Sequence, residues 1–124
     1  MRIHTFPTHN PKECPVFDYL KSGEKTVEGR PYSRKYHGLK SGDTIVFVSG
    51  DRKVKMVIKS IKRYKTLENY LRKETLSKTL PGVSSVKKAT EIYNKWSSPA
   101  KRRKLKSKYG FSMLAIRVAS PSPA

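Results

Sequence analysis

The sequence predicts one α+β domain in which a curled, mostly antiparallel sheet carries helices over its openings. Two observations favour this class. Strand-like segments with alternating or β-branched apolar residues are interleaved with segments whose apolar residues recur every three to four positions. The 124 residues also suffice for one hydrophobic core and not for two. We expect the domain to span residues 1–118, followed by a disordered tail over residues 119–124, where Ser and Pro predominate.

The first third of the chain predicts a strand, a helix and a second strand. Residues 2–6 alternate polar and apolar and stop before a proline, as a short strand does. A helix is expected to enter near Pro15 and to end at Gly23, because proline is tolerated in the first helical turn and glycine closes helices readily. The extended segment that follows, residues 25–30, ends at Pro31, which cannot donate to a strand ladder.

A β-hairpin is predicted for the middle of the chain. Residues 39–43, LKSGD, form a turn that leads into the β-branched run of residues 44–48. A second turn at residues 49–52 reverses the chain. Along residues 53–59 apolar and lysine side chains alternate, which predicts a strand with one buried and one charged face.

Three helices and a last strand are predicted for the remainder. The helices begin at Ser or Thr caps: Thr66, Ser84 or Ser85, and Ser98. The LPG sequence at residues 80–82 separates the first helix from the second. In the second helix, Tyr93 and Trp96 lie on one apolar stripe, so we expect both rings in the core. An apolar strand over residues 111–118 completes the sheet.

The charge of the chain indicates a polyanionic partner. It has 28 Lys and Arg against 9 Asp and Glu, a net charge of +19. Cations at this density repel one another unless a ligand neutralises them, and nucleic acid does so with release of counterions. A solubilising surface or binding to anionic lipid is the alternative, although no long amphipathic basic helix favours lipid.

Localisation, metal sites and disulfides are also constrained. No apolar stretch is long enough to span a membrane, and the N-terminal residues lack the apolar run of a secretory signal. Cys14 is the single cysteine, which excludes an internal disulfide and fits a reducing compartment. His4, His9 and His37 have no ligand spacing, so we expect no metal and no cofactor. We expect a soluble intracellular protein, cytoplasmic or nuclear, and assume a monomer.

Several motifs resemble those of one domain family. The segment GEKTVEGR at residues 23–30, followed by KY at 35–36 and LKSGDTIVF at 39–47, resembles the signature of the ASCH domain, a branch of the PUA-like superfamily. Later blocks are similar to small standalone ASCH proteins, including ones carried by large DNA viruses: YKTL at 64–67, LPGV at 80–83, IY at 92–93 and KYG at 108–110. The resemblance implies a β-pseudobarrel of about five to six strands with a cleft rimmed by the K-T-x-E-x-R segment.

The resemblance also bears on function. PUA-like domains mostly bind RNA or modified bases, and ASCH members resemble RNA-binding modules, acetylcytidine amidohydrolases or ribonucleases. We therefore expect single-stranded RNA or a modified base in the cleft. A hydrolase is the alternative, and a ribonuclease, metal-independent or metal-assisted, fits better than an amidohydrolase. The amidohydrolase set matches at Lys25 but meets Glu28 in place of a Thr and Lys78 in place of the acid. A third possibility is an interaction protein that docks an acidic partner.

Three candidate catalytic residues follow from the ribonuclease-like members. Their set of Tyr, Lys and Ser falls here on Tyr19, Lys25 and Ser112. We expect Lys25 to act as a base or nucleophile, since the surrounding positive charge favours a neutral amine, or else to bind phosphate. Ser112 fits an ordinary strand position equally well.

Glu28 is the fourth candidate. Strand alternation places Thr26, Glu28 and Arg30 on one face, with Lys25 at the mouth of the strand. Oriented by Arg30, the Glu28 carboxylate can accept a proton from a base edge or from water. The alternative is a structural ion pair that fixes the mouth of the barrel.

A wider set of residues is expected to contact nucleic acid. Cations interleaved with aromatic rings suit phosphate neutralisation and stacking on unpaired bases, with Tyr32, Tyr36 and Tyr64 as the stacking candidates. Residues 99–108, which contain PAKRRKLK, fit either a phosphate-binding helix or a nuclear-import signal. The expected nucleic-acid contacts are Thr26, Arg30, Arg34, Lys35, Tyr36, Lys53, Lys55, Arg102, Arg103 and Lys104.

Overall fold

A computed structural model gives the fold and describes residues 2–8, 10 and 15–121. Over these residues the chain forms five strands, five helices and one 3-10 turn, Arg34–Tyr36. The strands are β1 (Ile3–Pro7), β2 (Val27–Pro31), β3 (Thr44–Ser49), β4 (Arg52–Tyr64) and β5 (Met113–Ala119). The helices are α1 (Val16–Ser22), α2 (Leu67–Glu74), α3 (Leu76–Thr79), α4 (Val86–Trp96) and α5 (Pro99–Tyr109). His9, Cys14 and residues 122–124 of the expected tail lie outside the described residues.

The predicted α+β class is confirmed. The five strands form one sheet in the order β1-β3-β4-β5-β2. β1 runs parallel to β3, with Phe6 opposite Phe47, and the other three pairs are antiparallel. The sheet is therefore mostly antiparallel, as expected.

The two end strands of this curled sheet are joined by a side chain. Among the described strands, β1 pairs only with β3, and β2 only with β5. From β2, Arg30 donates from Nη2 to the Pro7 carbonyl at 2.7 Å, and its guanidinium lies 4.8 Å from the centre of the Phe6 ring. The sheet is a half-barrel in which the Arg30 side chain spans from β2 to β1.

Side-chain caps begin three helices at predicted positions. Thr66 and Ser98 each accept a hydrogen bond at 3.1 Å from the backbone N–H three residues further on. At the start of α4 the cap is Ser85 rather than Ser84, since the Ser85 hydroxyl accepts a hydrogen bond from the Lys88 N–H at 3.1 Å. α1 ends at Gly23, whose φ of 85° is a left-handed conformation that glycine adopts without strain.

β4 is longer than the alternation of its residues predicts. Its pairing with β5 shifts register between Ile58 and Ser60, and the strand continues to Tyr64. Such a bulge adds a residue to one strand and exchanges its inward and outward positions. Because the alternating pattern is interrupted there, a prediction that rests on alternation ends the strand too early.

Buried aromatic residues of α2 and α4 form part of the core. Tyr70 and Tyr93 are buried, and their hydroxyl oxygens lie 3.0 Å apart in a hydrogen bond. β2 passes close to Tyr70 at Gly29, where an added Cβ would overlap the Tyr70 ring and hydroxyl. The core position predicted for Tyr93 is confirmed. None of the helices in the described part of the chain is both long and apolar enough to cross a membrane.

The Asp43 carboxylate holds the LKSGD turn. One oxygen accepts from the Arg2 N–H at 3.2 Å, and the other accepts from the Lys40 N–H at 3.2 Å and lies 2.9 Å from Nε2 of His4. These hydrogen bonds, chiefly the one with His4, lower the pKa of Asp43 to about 2. The carboxylate thus ties β1 to the turn before β3.

Asp43→Asn is expected to reduce the acid sensitivity of the fold. Because the folded pKa lies below the ordinary value of 3.8, the ionised carboxylate stabilises the fold above about pH 4 and loses this contribution as the pH falls toward 2. Urea unfolding of both proteins between about pH 5 and pH 2 measures the effect. The gap between their free energies of unfolding should narrow as the pH falls, and a constant gap would contradict the assignment.

Candidate functional site

A cavity of about 300 Å³, here called the first cavity, lies beside β2. Residues of α1, β2, the 3-10 turn, the end of α4 and the start of α5 surround it. Lys25, Glu28 and Arg30 line it together. The predicted K-T-x-E-x-R segment therefore contributes three charged residues to one cavity.

Lys25 is fully buried, and its ammonium group is surrounded by acceptors. Nζ donates to the Val27 carbonyl at 2.6 Å and to the Thr79 carbonyl, and lies 3.5 Å from Oε1 of Glu28. Two carbonyls and a carboxylate match the three protons of an ammonium, so this arrangement favours the charged form. It does not support the expectation of a neutral amine, and a catalytic role for Lys25 stays a prediction.

Glu28 is an ionised carboxylate in a buried position, 6% exposed. Its Oε2 accepts from Nη2 of Arg30 at 3.0 Å and from Nε at 3.3 Å. Burial alone would raise the pKa of Glu28, but the charges of Arg30 and Lys25, and the hydrogen bonds from both, hold it below the usual value. Glu28 is thus an acceptor at neutral pH, flanked by two cations.

Aromatic and apolar side chains line other parts of the first cavity, and two exposed cations lie at its rim. Trp96 and Tyr36 line it, the latter only 7% exposed, with Lys35 5.1 Å from the centre of its ring. Lys35 and Lys101 are exposed and also line it. Trp96, expected in the core, is partly buried against it but also lines the first cavity. Lys101 belongs to residues 99–108, for which a phosphate-binding helix was one of the two expectations. Both lie at the junction of α4 and α5, and the basic run of α5 was the only sequence signal for Lys101.

The residues of the ribonuclease-like set are not all brought together. The backbone carbonyl of Tyr19 accepts a hydrogen bond from the Lys25 N–H at 3.0 Å. The side chain of Tyr19 is half-buried and does not line the first cavity. Ser112 is 1% exposed, and its hydroxyl donates to the Lys65 carbonyl at 2.8 Å. It lines a second cavity, of about 530 Å³. The catalytic roles of Tyr19 and Ser112 stay predictions.

Thr26 does not share the face of Glu28 and Arg30, contrary to the expectation. Its N–H donates to the Lys78 carbonyl at 3.1 Å, and both residues line a different cavity, of about 370 Å³. The reason is that β2 begins at Val27, so strand alternation does not extend back to Thr26.

The stacking candidates outside the first cavity are buried. Tyr32 is 9% exposed and packs edge-on against Tyr109 and Phe111. Tyr64 is 7% exposed, and its hydroxyl donates to Glu74. These two rings pack inside the fold, which was the alternative to stacking on bases.

The remaining predicted cations have different surroundings. Arg102 is 8% exposed, and its guanidinium donates to the Ser97 carbonyl and hydroxyl and to the Asn94 side chain. It fixes the junction of α4 and α5 rather than facing solvent. The exposed members of the set are Arg34, Lys35, Lys53, Lys55, Arg103 and Lys104.

Within residues 2–8, 10 and 15–121, no group of three or more His, Cys, Asp and Glu residues is arranged to hold a metal ion.

Comparisons with known proteins match almost the whole chain. The model of the ASCH domain matches residues 13–117. The crystal structure of hypothetical protein PH0355 is 27% identical, covers 98% of this chain and all of its own, and superposes with a TM-score of 0.75. The solution NMR structure of protein PF0455 from Pyrococcus furiosus is also 27% identical, covers both chains fully and has a TM-score of 0.69. None of the curated proteins compared with this chain matches it significantly.

Proposed function

The chain belongs to the ASCH domain family, and from this membership we propose that it binds single-stranded RNA with one base in the first cavity. Membership itself points to RNA binding at the level of the family. The finer part of the proposal, the base in the cavity, is carried by one observation. This is the ionised Glu28 carboxylate, held by Lys25 and Arg30, in a cavity of a protein whose net charge is +19.

The chemistry of the first cavity suits a base better than a phosphate. An ionised carboxylate accepts hydrogen bonds, so Glu28 favours the N–H edge of a base. Lys25 and Arg30 beside it already donate to Glu28 or to backbone carbonyls. Trp96 offers an aromatic surface for stacking. The exposed Lys35 and Lys101 at the rim suit the phosphates on either side of the bound nucleotide. Adenine, cytosine and guanine, which carry an exocyclic amino group, should bind more tightly than uracil.

Binding is better supported than hydrolysis by the same groups. A general base works best when its pKa is near the working pH, and the pKa of Glu28 is held below its usual value. The Lys25 ammonium already donates to two carbonyls. Ser112 lines a different cavity. RNA recovered intact after incubation with the protein would agree with a binding module, and cleavage lost in Lys25→Ala would favour a hydrolase.

Trp96 fluorescence provides a direct test of base binding. Trp96 is the only tryptophan in the chain, and it lines the first cavity, so its emission should change when a nucleoside monophosphate or a short RNA binds. Lys35→Gln combined with Lys101→Gln should lower the slope of log affinity against log salt by about 1.4 for a single strand, since each lost phosphate contact removes about 0.7. Lys21→Gln with Lys59→Gln, which changes two exposed lysines outside the cavity, is the charge-matched control. RNA binding without any change in Trp96 emission would place the base elsewhere.

A further inference from the structure

The second cavity is a basic groove between α2, α4 and α5. Its volume is about 530 Å³, and the side chains of six cationic residues and one carboxylate line it. The carboxylate, Glu68, is paired with Arg72 at 2.9 Å, and Arg102 is bonded internally to Ser97 and Asn94. The groove therefore has an excess of positive charge that its own carboxylate does not balance.

Four cations in the basic groove are available to a ligand. The side chains of Lys65, Lys87, Arg103 and Lys106 are exposed, and none forms an ion pair or side-chain hydrogen bond with any residue that the structure describes. Arg103 and Lys106 are three residues apart on α5, where like charges repel. An anion in the groove would relieve this repulsion.

Three helices have their N-terminal ends at the groove. The first residues of α2, α4 and α5 all line it, so the positive ends of three helix dipoles meet there. Helices usually place Asp or Glu in the first turn, as α2 does with Glu68, but α4 and α5 have none there. Lys87 occupies the first turn of α4 at the groove, and Lys101 occupies that of α5 at the first cavity. Cations at these positions are unfavourable without an external anion, so both the side chains and the backbone favour a negatively charged ligand.

α5 connects the groove to the first cavity. Lys101 lines the first cavity, whereas Arg103 and Lys106 line the groove. α4 also borders both, since Val86 and Thr90 in its first half line the groove and Trp96 at its end lines the first cavity. At a rise of about 1.5 Å and a rotation of about 100° per residue, Lys101 and Lys106 lie about 7.5 Å apart along the α5 axis and about 140° apart around it. An extended polyanion that crosses over α5 can therefore reach both.

We propose that the basic groove binds the phosphodiester backbone of the RNA strand whose base occupies the first cavity, through Lys65, Lys87, Arg103 and Lys106. This inference rests on the proposed function. A lipid surface fits less well, because Ile3 is the one large apolar residue exposed among the described residues. It lies on β1, whereas α2, α4 and α5 form the groove. The groove thus adds affinity and length to the RNA footprint without reading its sequence.

Matched charge variants test the groove. The groove variant combines Lys87→Gln, Arg103→Gln and Lys106→Gln, and the control combines Lys21→Gln, Lys40→Gln and Lys59→Gln, three exposed lysines that line neither cavity. Affinity for a 5′-labelled single-stranded RNA of about a dozen nucleotides is measured over a range of salt concentrations. Three lost phosphate contacts should lower the slope of log affinity against log salt by about 2 in the groove variant and leave it unchanged in the control. Trp96 titration with a nucleoside monophosphate should give the same affinity in all three proteins.

The other outcomes separate the two proposals. If the groove variant and the control bind RNA with the same slope of log affinity against log salt, the groove inference is wrong and the proposed function stands. No RNA binding by the wild-type protein overturns both. Vesicles containing phosphatidylserine and an acidic peptide are tested in parallel. If the groove variant loses binding to either of these but keeps its RNA slope, the groove serves that partner and the inference is wrong.

Discussion

Glu28→Gln is expected to lower the free energy of unfolding by about 3 to 5 kcal/mol, the usual cost of removing one partner from a buried ion pair. Glu28 lies between Lys25 at 3.5 Å and Arg30 at 3.0 Å, and the side chains of all three are largely buried. Glutamine keeps the shape of the side chain but removes the charge. Both cations would then remain in a poorly solvated site without the carboxylate, and for Lys25 the two backbone carbonyls are the acceptors that remain among its described contacts.

Glu68→Gln is the matched control for this prediction. Glu68 is paired with Arg72 at 2.9 Å, but both side chains are more than 60% exposed. An exposed pair four residues apart on a helix contributes only about 0.3 to 0.5 kcal/mol. Urea unfolding at neutral pH should therefore show a loss in the free energy of unfolding that is severalfold larger for Glu28→Gln than for Glu68→Gln. If Glu28→Gln is no more destabilising than Glu68→Gln, the three charges do not hold this part of the fold together.

Gly29→Ala is expected to destabilise the protein by about 1 to 3 kcal/mol, because it overfills a closely packed region. The new methyl group would overlap the ring and hydroxyl of Tyr70, which is fully buried and bonded to Tyr93. Because the Tyr70 ring is fully buried, β2 must shift instead, and at Gly29 it borders the first cavity. Since Gly29 lies between Glu28 and Arg30, a shift of the strand should also weaken RNA binding, measured by Trp96 fluorescence.

Gly38→Ala provides the comparison for this substitution. At Gly38 an added Cβ meets only the guanidinium of Arg2, an exposed side chain that can move aside. In thermal unfolding, the melting temperature should fall markedly for Gly29→Ala and change little for Gly38→Ala. Equal effects at the two positions would mean that the loss of glycine itself, rather than the contact with Tyr70, determines the result.

Local signals predicted much of the fold from the sequence. Helix caps depend on a side chain and an N–H only three residues away, so Thr66 and Ser98 could be identified directly. The end of α1 at Gly23 is equally local. The length of β4 could not be predicted, because the bulge near Ile58 is set by its pairing with β5.

The candidate site was predictable only where one strand supplies it. Glu28 and Arg30 are two residues apart on β2, so alternation alone brings them together. Trp96 and Lys101 reach the same cavity through the packing of α4 and α5, which no pattern within either helix specifies. Ser112 was grouped with Lys25 by family resemblance, and the structure places it at the second cavity because its hydroxyl is bonded to the chain beside α2.

The Arg30 guanidinium performs two tasks at once. It holds the Glu28 carboxylate and also carries the bond to Pro7 that links the ends of the sheet. In most closed barrels a backbone ladder does the second task, so a mutation in the ligand site leaves the scaffold intact. Here the sheet and the proposed base site share one side chain, so a change at residue 30 should alter folding and RNA binding together.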